Sequence, residues 1–560
     1  MLFLTWLYAL TLLGLAVFGF HLLLLFLLAA IEWMRRFRRF SLPRHLSSTD
    51  ERALADFSVS SVPSVDRPWP AVLVQLPIYN ERYVVERLID AAAALDYPPH
   101  RLAVQVLDDS TDDTVSIARA RAAFHRARGR NVTYHHRADR AGFKAGALAE
   151  GLARSTDAAD SPGSSADKQD QLIAVFDADF VPPPDFLRRV IPAFWADARL
   201  GMLQARWEHL NPDQNLLTRA QALGADGYFL VDQVARSSAG LLMNFNGSAG
   251  VWRRACIDDA GGWQGDTLAE DLDLSYRAQL NGWRLAYCPD LAVPAELPPT
   301  IAALKNQQFR WAKGSFQVLR KLGPRLFAAR MPLYRKVLGF LHLGGFFVQP
   351  LALLALLLSL PVVLMRGQTP LELGWLSLAT LGPLLTGLWG QLALALTPEL
   401  KLRPETSKPD KSGCASHPQS AFSTADFIPR LARLRCYPLL VMAGTGLALT
   451  CTKAMWEAFF GREHEFKRTP KNLPPASGRQ EAAYALSIDW TTWGELLLAL
   501  YALAVALLAL DLAPGLAPFI FLYALGFGYT GGLGLWESGH LTGVRTPVRC
   551  RRREANRNLP

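Results

Sequence analysis

Apolar positions in this chain form long unbroken runs toward its two ends and short runs, separated by polar segments, in its middle. Residues 2–31 are almost wholly apolar, long enough to cross a hydrocarbon core of roughly 30 Å as a helix. Arg35, Arg36, Arg38 and Arg39 follow directly. A cleaved signal peptide would carry its positive charge before a shorter apolar core. Here the charge comes after, so the run reads as an anchor with its N-terminus outside and residue 35 onward in the cytosol. Further apolar runs stand at about 338–365, 373–397, 436–460, 494–513 and 515–537. The C-terminal Arg549, Arg551, Arg552 and Arg553 are expected inside as well, which requires one run not to span. The 436–460 run, broken by Thr450, Thr452, Lys453 and Glu457, is the weakest. It reads as a re-entrant or interfacial helix pair preceded by an amphipathic 428–435.

Between about 70 and 310 the pattern is that of an α/β domain. The runs 71–77, 102–107 and 172–176 are short and β-prone, and each ends in polar or acidic residues. Helical periodicity separates them at 81–95 and 113–126. Such alternation predicts a mainly parallel, Rossmann-like sheet whose ligands gather beyond the C-terminal strand ends. The segments 155–170 and 398–424, rich in small and polar residues, read as surface insertions.

Composition supports this division. Half of the 560 residues are hydrophobic and 19% are charged, with a mean hydropathy of +0.11. The net charge of +10 is placed beside the apolar runs, which favours membrane orientation over nucleic-acid binding. Six cysteines show no CxxC pair and no short disulfide framework, as suits a reducing cytosol.

The chemistry-bearing residues are mostly acidic. Asp108 and Asp109 end one strand, and Asp177-Ala178-Asp179 ends another. Two carboxylates one residue apart suit Mg²⁺ or Mn²⁺, which also takes phosphate oxygens and neutralises a leaving diphosphate. Aspartate at a strand end also serves as a turn former or cap. Glu270 and Asp271 open a helix at 272–280, where acid complements the helix dipole and where Asp271 would alternatively serve as a general base. Arg310 offers a planar fork for a diphosphate and Trp311 a flat face for a sugar ring, though an interfacial helix uses the same residue types. Arg140 and Lys144 are further candidate phosphate contacts or a solvated basic loop.

The ordered set Pro77-Ile78-Tyr79-Asn80-Glu81, Asp108-Asp109, Asp177-Ala178-Asp179, Glu270-Asp271 and Gln307-x-x-Arg310-Trp311 resembles the processive glycosyltransferases of family 2. These include cellulose, chitin and hyaluronan synthases; the nearest flavour is the cellulose-synthase-like A and C branches, β-mannan and glucan synthases, and bacterial relatives. The resemblance implies an α/β GT-A domain inserted in a transmembrane α bundle and an inverting single displacement. On that likeness Pro77, Tyr79, Glu81, Asp108, Asp109, Lys144 and Asp177 would bind the nucleotide sugar, and Asp177 and Asp179 the metal. Asp271, with Glu270, would be catalytic. Phe245, Asn246, Gly247, Gln307, Arg310 and Trp311 would sit at the acceptor and diphosphate. Phe466, Arg468, Thr469 and Lys471 look like a gating loop over the nucleotide, which requires residue 466 to be cytosolic. Two positions depart from the family pattern: Ala269 stands for the usual Thr before Glu-Asp, and Arg468 for the gating-loop Val.

The expected organisation is an anchor at 1–34, a cytosolic catalytic domain at 35–325, and membrane or interfacial helices at 326–465. A gating segment at 466–493, further membrane helices at 494–540 and a basic tail at 541–560 complete it. The implied protein is a multi-pass enzyme of a bacterial inner or plasma membrane, polymerising a β-glucan or β-mannan from UDP-glucose or GDP-mannose with Mg²⁺ or Mn²⁺. Its partners would be the nucleotide sugar, the growing glycan and the bilayer, with accessory subunits open. A non-processive transferase with a lipid acceptor is the alternative, and a nucleotide-sensing channel the reading from another class.

Overall fold

The structure is a computed structural model, and it describes residues 2–41, 68–157, 170–365, 381–396, 433–461 and 490–538. The expected insertion 398–424, the gating segment around 466–471 and the basic tail lie outside the described residues.

Seven strands form one sheet: β1 (Val72–Ile78), β2 (Leu102–Asp108), β3 (Val132–His136), β4 (Leu172–Val175), β5 (Leu200–His209), β6 (Gly250–Arg253) and β7 (Arg284–Ala295), in the order β3-β2-β1-β4-β6-β5-β7. β1, β2 and β4 are buried along their whole lengths, as strands covered on both faces are, with the two polar residues inside them, Gln75 and Gln105, hydrogen-bonded to each other at 3.2 Å. β1 pairs in parallel with β2 on one side and β4 on the other. Chain order thus reverses beside β1, the place where open α/β sheets bind ligands. β6 alone runs antiparallel to its neighbours. Its first residue, Gly250, stands opposite Val175, the last residue of β4, so the loop entering β6 arrives where β4 delivers Asp177. This is the mainly parallel GT-A architecture expected from the sequence.

The sheet separates two cores. One joins Val72, Val74 and Leu76 to the helices Val85–Ala93 and Phe186–Ala196. The other joins Leu73, Leu107 and Ile173 to Leu148, Val234 and Leu274, and continues into Leu25, Ala29 and Trp33 of the first helix, Leu2–Ser41. Trp33 is 1% exposed and donates its indole N–H to Leu230 O at 2.9 Å. Arg36 pairs with Asp290 at 3.1 Å. The C-terminal part of this helix therefore belongs to the core of the α/β domain, while its N-terminal part packs Tyr8 against Ala355, Leu358 and Val362.

Among the described residues, five helical stretches are long and apolar enough to cross a membrane: Phe3–Arg36, Gly345–Leu364, Arg433–Phe460, Trp490–Leu512 and Ala517–Glu537. Their outward side chains, Phe3, Leu497, Leu500 and Phe519 among them, are largely exposed, as a lipid-facing surface requires. The Arg433–Phe460 stretch contains two helices, Tyr437–Gly446 and Ala448–Phe460. Both touch the catalytic domain, since Leu440 lies against Gly224 and Ala454 and Ala458 pack with Phe316. The helix Leu381–Leu396 runs so near the first helix that a Cβ on Gly382 would stand 2.8 Å from Leu23 N. Such close backbone approach is the signature of small residues at helix contacts in membranes.

Candidate active site

The C-terminal ends of β1, β2 and β4 build the wall of one cleft. After β1, Asn80 adopts φ 55°, a left-handed conformation that asparagine tolerates. Its N–H donates to Ser110 Oγ at 2.7 Å, and its Oδ1 accepts from Thr111 N at 2.8 Å. The exits of β1 and β2 are thereby tied together, presenting Tyr79 and Glu81 beside Asp108 and Asp109. Pro77 is buried within β1, opposite Leu107.

Asp108 is fully buried and accepts from Ser110 N at 2.8 Å and Tyr134 Oη at 2.7 Å. Asp109 receives both arms of Arg137, at 2.7 and 2.6 Å, the bidentate geometry that makes Arg–carboxylate pairs strong. Arg137 also donates to Phe143 O at 2.9 Å, so the two aspartates organise the loop from 137 to 143. That loop stacks Arg140 on Tyr79, 3.3 Å from the ring centroid. It turns through Gly142 and Phe143 at φ 69° and 50° and starts the helix Phe143–Asp157, whose first turn carries Lys144.

Lys144 is the centre of the cleft. Its Nζ lies 2.6 Å from Asp177 Oδ1 and 3.7 Å from Glu270 Oε1, and donates to Gly247 O at 2.8 Å. Burial opposes its charge, but Asp177 and then Glu270 outweigh that and push its pKa above the ordinary lysine value. Asp177 N donates to Ser248 Oγ at 2.9 Å, which locks the β4 exit to the loop entering β6. In that loop Phe245 N donates to Ser275 Oγ at 2.8 Å and Asn246 N to Gln204 Oε1 at 2.9 Å. Asn246 Oδ1 accepts from Tyr228 Oη at 2.8 Å.

Glu270 and Asp271 open the helix Glu270–Leu280. Burial and then Glu270 push Asp271 up to about 7, with Lys144 opposing. Burial likewise raises Glu270. Arg310, in the helix Ile301–Ala328, has its pKa lowered by burial against the fields of Asp177, Glu270, Glu81 and Asp179. Asp177, Glu270, Glu81 and Asp179 all act on Arg310, while burial is the main cause that raises Glu270 and Asp271. Gln307 precedes Arg310 by one turn, and Trp311, beside it, is 43% exposed. Asp179 is buried, 4% exposed. Among the described residues no group of three or more His, Cys, Asp or Glu side chains is arranged to hold a metal ion.

Gly247 is required by this geometry. It has φ 83°, and a Cβ there would stand 2.8 Å from Asp271 Oδ2 and 3.3 Å from Lys144 Nζ. Gly247→Ala is expected to fold, judged by its melting curve, yet to lose on the order of 10²-fold in activity through displacement of these two groups.

The structure brings together Tyr79, Glu81, Lys144, Asp177, Asp179, Gly247, Glu270, Asp271 and Arg310. Phe245 and Asn246 support the floor. Phe466, Arg468, Thr469 and Lys471 lie outside the described residues. Sequence reading missed Arg137, Gln204, Ser248 and Ser275. No spacing marks them, because each acts through hydrogen bonds to other segments of the chain.

Residues 70–314 match the family described as glycosyltransferase like family 2. Over 255 residues, 45% of this chain, the sequence is 45% identical to glucomannan 4-beta-mannosyltransferase 2 of Arabidopsis thaliana, covering 46% of that protein. Over 283 residues, 50% of this chain, it is 42% identical to probable glucomannan 4-beta-mannosyltransferase 3 of Oryza sativa subsp. japonica, covering 49% of it. The chain thus spans about half the length of the curated relatives it matches. These relatives are plant proteins and lend no support to a bacterial membrane. Among solved structures, a mannosyltransferase from Pyrobaculum calidifontis in complex with GDP-Man and Mn²⁺ aligns with a TM-score of 0.44 at 20% identity, covering 80% of this chain and 100% of that one.

Proposed function

We propose that this chain, whose residues 70–314 match the family described as glycosyltransferase like family 2, is a membrane-embedded, inverting β-mannosyltransferase. It extends a β-1,4-linked mannan or glucomannan from a nucleotide-activated mannose, GDP-mannose being the donor favoured over UDP-glucose. The sugar and linkage follow the relatives, whose names are those of glucomannan 4-beta-mannosyltransferases. The observation that carries the chemistry is the convergence of Asp177, Glu270 and Gly247 on Lys144, with Asp271 against Gly247.

In this mechanism Asp271 takes the proton of the acceptor hydroxyl as its oxygen attacks the anomeric carbon. The new C–O bond forms on the face opposite the diphosphate, and the old C–O bond breaks with its electron pair leaving on the phosphate. Asp177 and Asp179 would hold the divalent cation. Hard carboxylate oxygens suit Mg²⁺ or Mn²⁺, with further ligands from the donor's phosphates. Such an ion, when bound, neutralises charge on the departing diphosphate. Arg310 directs its donors at the same diphosphate. Lys144 keeps Asp177 and the acidic pair in register, and Trp311 supplies the face on which the acceptor sugar rests.

The catalytic domain lies on the cytosolic side, as Arg35 and Arg36 after the first helix indicate. Arg433–Phe460 is read as interfacial, supported by the contact of both its halves with catalytic-domain helices. The nucleotide-gating role of 466–471 rests on sequence likeness.

The test is to supply the purified full-length protein with GDP-mannose, UDP-glucose and other nucleotide sugars in Mg²⁺ or Mn²⁺. Nucleotide release is measured, the labelled product is partitioned between water and organic solvent, and it is digested with linkage-specific glycosidases. A water-soluble polymer from GDP-mannose, cleaved by a β-1,4-mannanase, is expected. An organic-soluble product would replace this reading with a lipid-acceptor transferase, and no release from any donor would overturn both.

A further inference from the structure

The helix Ile301–Ala328 has two working faces. At 3.6 residues per turn, Gln307, Arg310, Trp311 and Gly314 share one side, whereas Ile301, Lys305, Ala312 and Phe316 share the opposite side. The first side is fastened to the loop that carries the acidic pair. Gln317 Oε1 accepts from Leu268 N at 2.8 Å. Lys321 donates to Gln264 at 2.7 Å and to Asp266 at 2.8 Å, and meets Asp273 at 2.9 Å. A Cβ on Gly314 would stand 2.7 Å from Ala269 Cβ, so the departure from Thr at 269 sits in a backbone-close contact with this helix.

The other side meets three carboxylates, each from a different membrane-associated helix. Lys305 Nζ lies 2.5 Å from Glu495 Oε2, with side-chain exposures of 11% and 0%, and donates to Thr492 Oγ1 at 3.3 Å. Lys313 Nζ lies 3.2 Å from Glu457 Oε2, at 2% and 14% exposure. Glu537 accepts from Ile301 N at 2.9 and 3.0 Å and from Ala302 N at 3.4 Å, and so neutralises the positive end of the helix dipole. Ion pairs this deep recover little net stability, because desolvation cancels most of their attraction. What such pairs supply is geometry: an apolar contact tolerates sliding, whereas a buried lysine must keep its carboxylate.

We propose that Glu457, Glu495 and Glu537 are positioning residues that hold this helix in register between the membrane bundle and the acidic pair. They thereby keep the acceptor platform of Gln307 and Trp311 aligned with the donor while the chain is extended. The inference rests on the transferase reading above. It assigns the acceptor side of the reaction, and not donor binding, to contacts made by glutamates that otherwise look misplaced in apolar helices.

The experiment uses the full-length protein in lipid nanodiscs, with Glu495→Gln, Glu457→Gln and Glu537→Ala compared with wild type. GDP-mannose and a β-1,4-mannan oligosaccharide acceptor are the probes. The acceptor KM is expected to rise, and the product length to fall, by at least tenfold in Glu495→Gln and Glu457→Gln. The donor KM and the rate of acceptor-independent donor hydrolysis stay within twofold of wild type. The exchanged pair Lys305→Glu with Glu495→Lys restores product length. Equal loss on the donor and acceptor sides, or wild-type products from folded variants, overturns the proposal. Should the buried variants fail to fold, Glu537→Ala decides, because it removes only the cap on Ile301 N and Ala302 N: an unchanged acceptor KM overturns the proposal. A wild type inactive with every nucleotide sugar instead overturns the transferase reading itself.

Discussion

Asp271→Asn is expected to lower sugar transfer by about 10²–10⁴-fold, the usual worth of a positioned general base, while nucleotide-sugar binding is retained. The substitution keeps volume and leaves Lys144 paired with Asp177 and Glu270, so the cleft keeps its shape. Isothermal titration with the donor and a radiolabel transfer assay separate the two effects. The same group sets the pH response. Burial and Glu270 push Asp271 up to about 7, and a base works only when deprotonated. The wild-type rate should therefore be fully developed above that pH and fall as pH drops through it. A flat profile from pH 5 to 9 would remove Asp271 from the role.

Second in size is the metal. Chelation of divalent cations, or Asp177→Asn, is expected to reduce transfer by on the order of 10²–10³-fold, comparable to removing one electrostatic stabiliser of a transition state. The substitution acts doubly, since Asp177 also holds the Lys144 ammonium at 2.6 Å. Readdition of Mn²⁺ or Mg²⁺ should restore the chelated wild type fully and the variant barely. Activity that persists in the chelated protein would leave Asp177 and Asp179 as organisers of Lys144 and Arg310 alone.

The three strands legible in the sequence are those buried on both faces. β1, β2 and β4 read as apolar runs interrupted only by Gln75 and Gln105, each followed by polar or acidic residues, and their parallel register brings those C-terminal ends together. β3 is an edge strand with half-exposed Tyr134 and His135, β6 has only four residues, and β5 and β7 pair through register shifts. None of these keeps a clean period. The acidic motifs announced themselves by type and order. Their meeting on Lys144 did not, because it depends on the antiparallel β6, which returns Gly247 to a lysine 103 positions earlier.

The membrane half shows the converse. Glu457 is one of the four polar residues that make 436–460 the weakest of the apolar runs in the sequence. Its partner Lys313 supplies the physical reason for its presence, and hydropathy carries no trace of partners. Glu495 and Glu537 were absorbed into apolar runs for the same reason. The helix Leu381–Leu396 falls within the apolar run expected at 373–397.

A structure of the protein in nanodiscs with GDP-mannose and Mn²⁺ tests the gathering of these groups around one donor most directly. The mechanism predicts the cation on Asp177 and Asp179, the diphosphate under Arg310, and the anomeric carbon turned to the acceptor hydroxyl that Asp271 faces. A donor bound away from these carboxylates, or held with Asp271 turned from the reacting carbon, would contradict it.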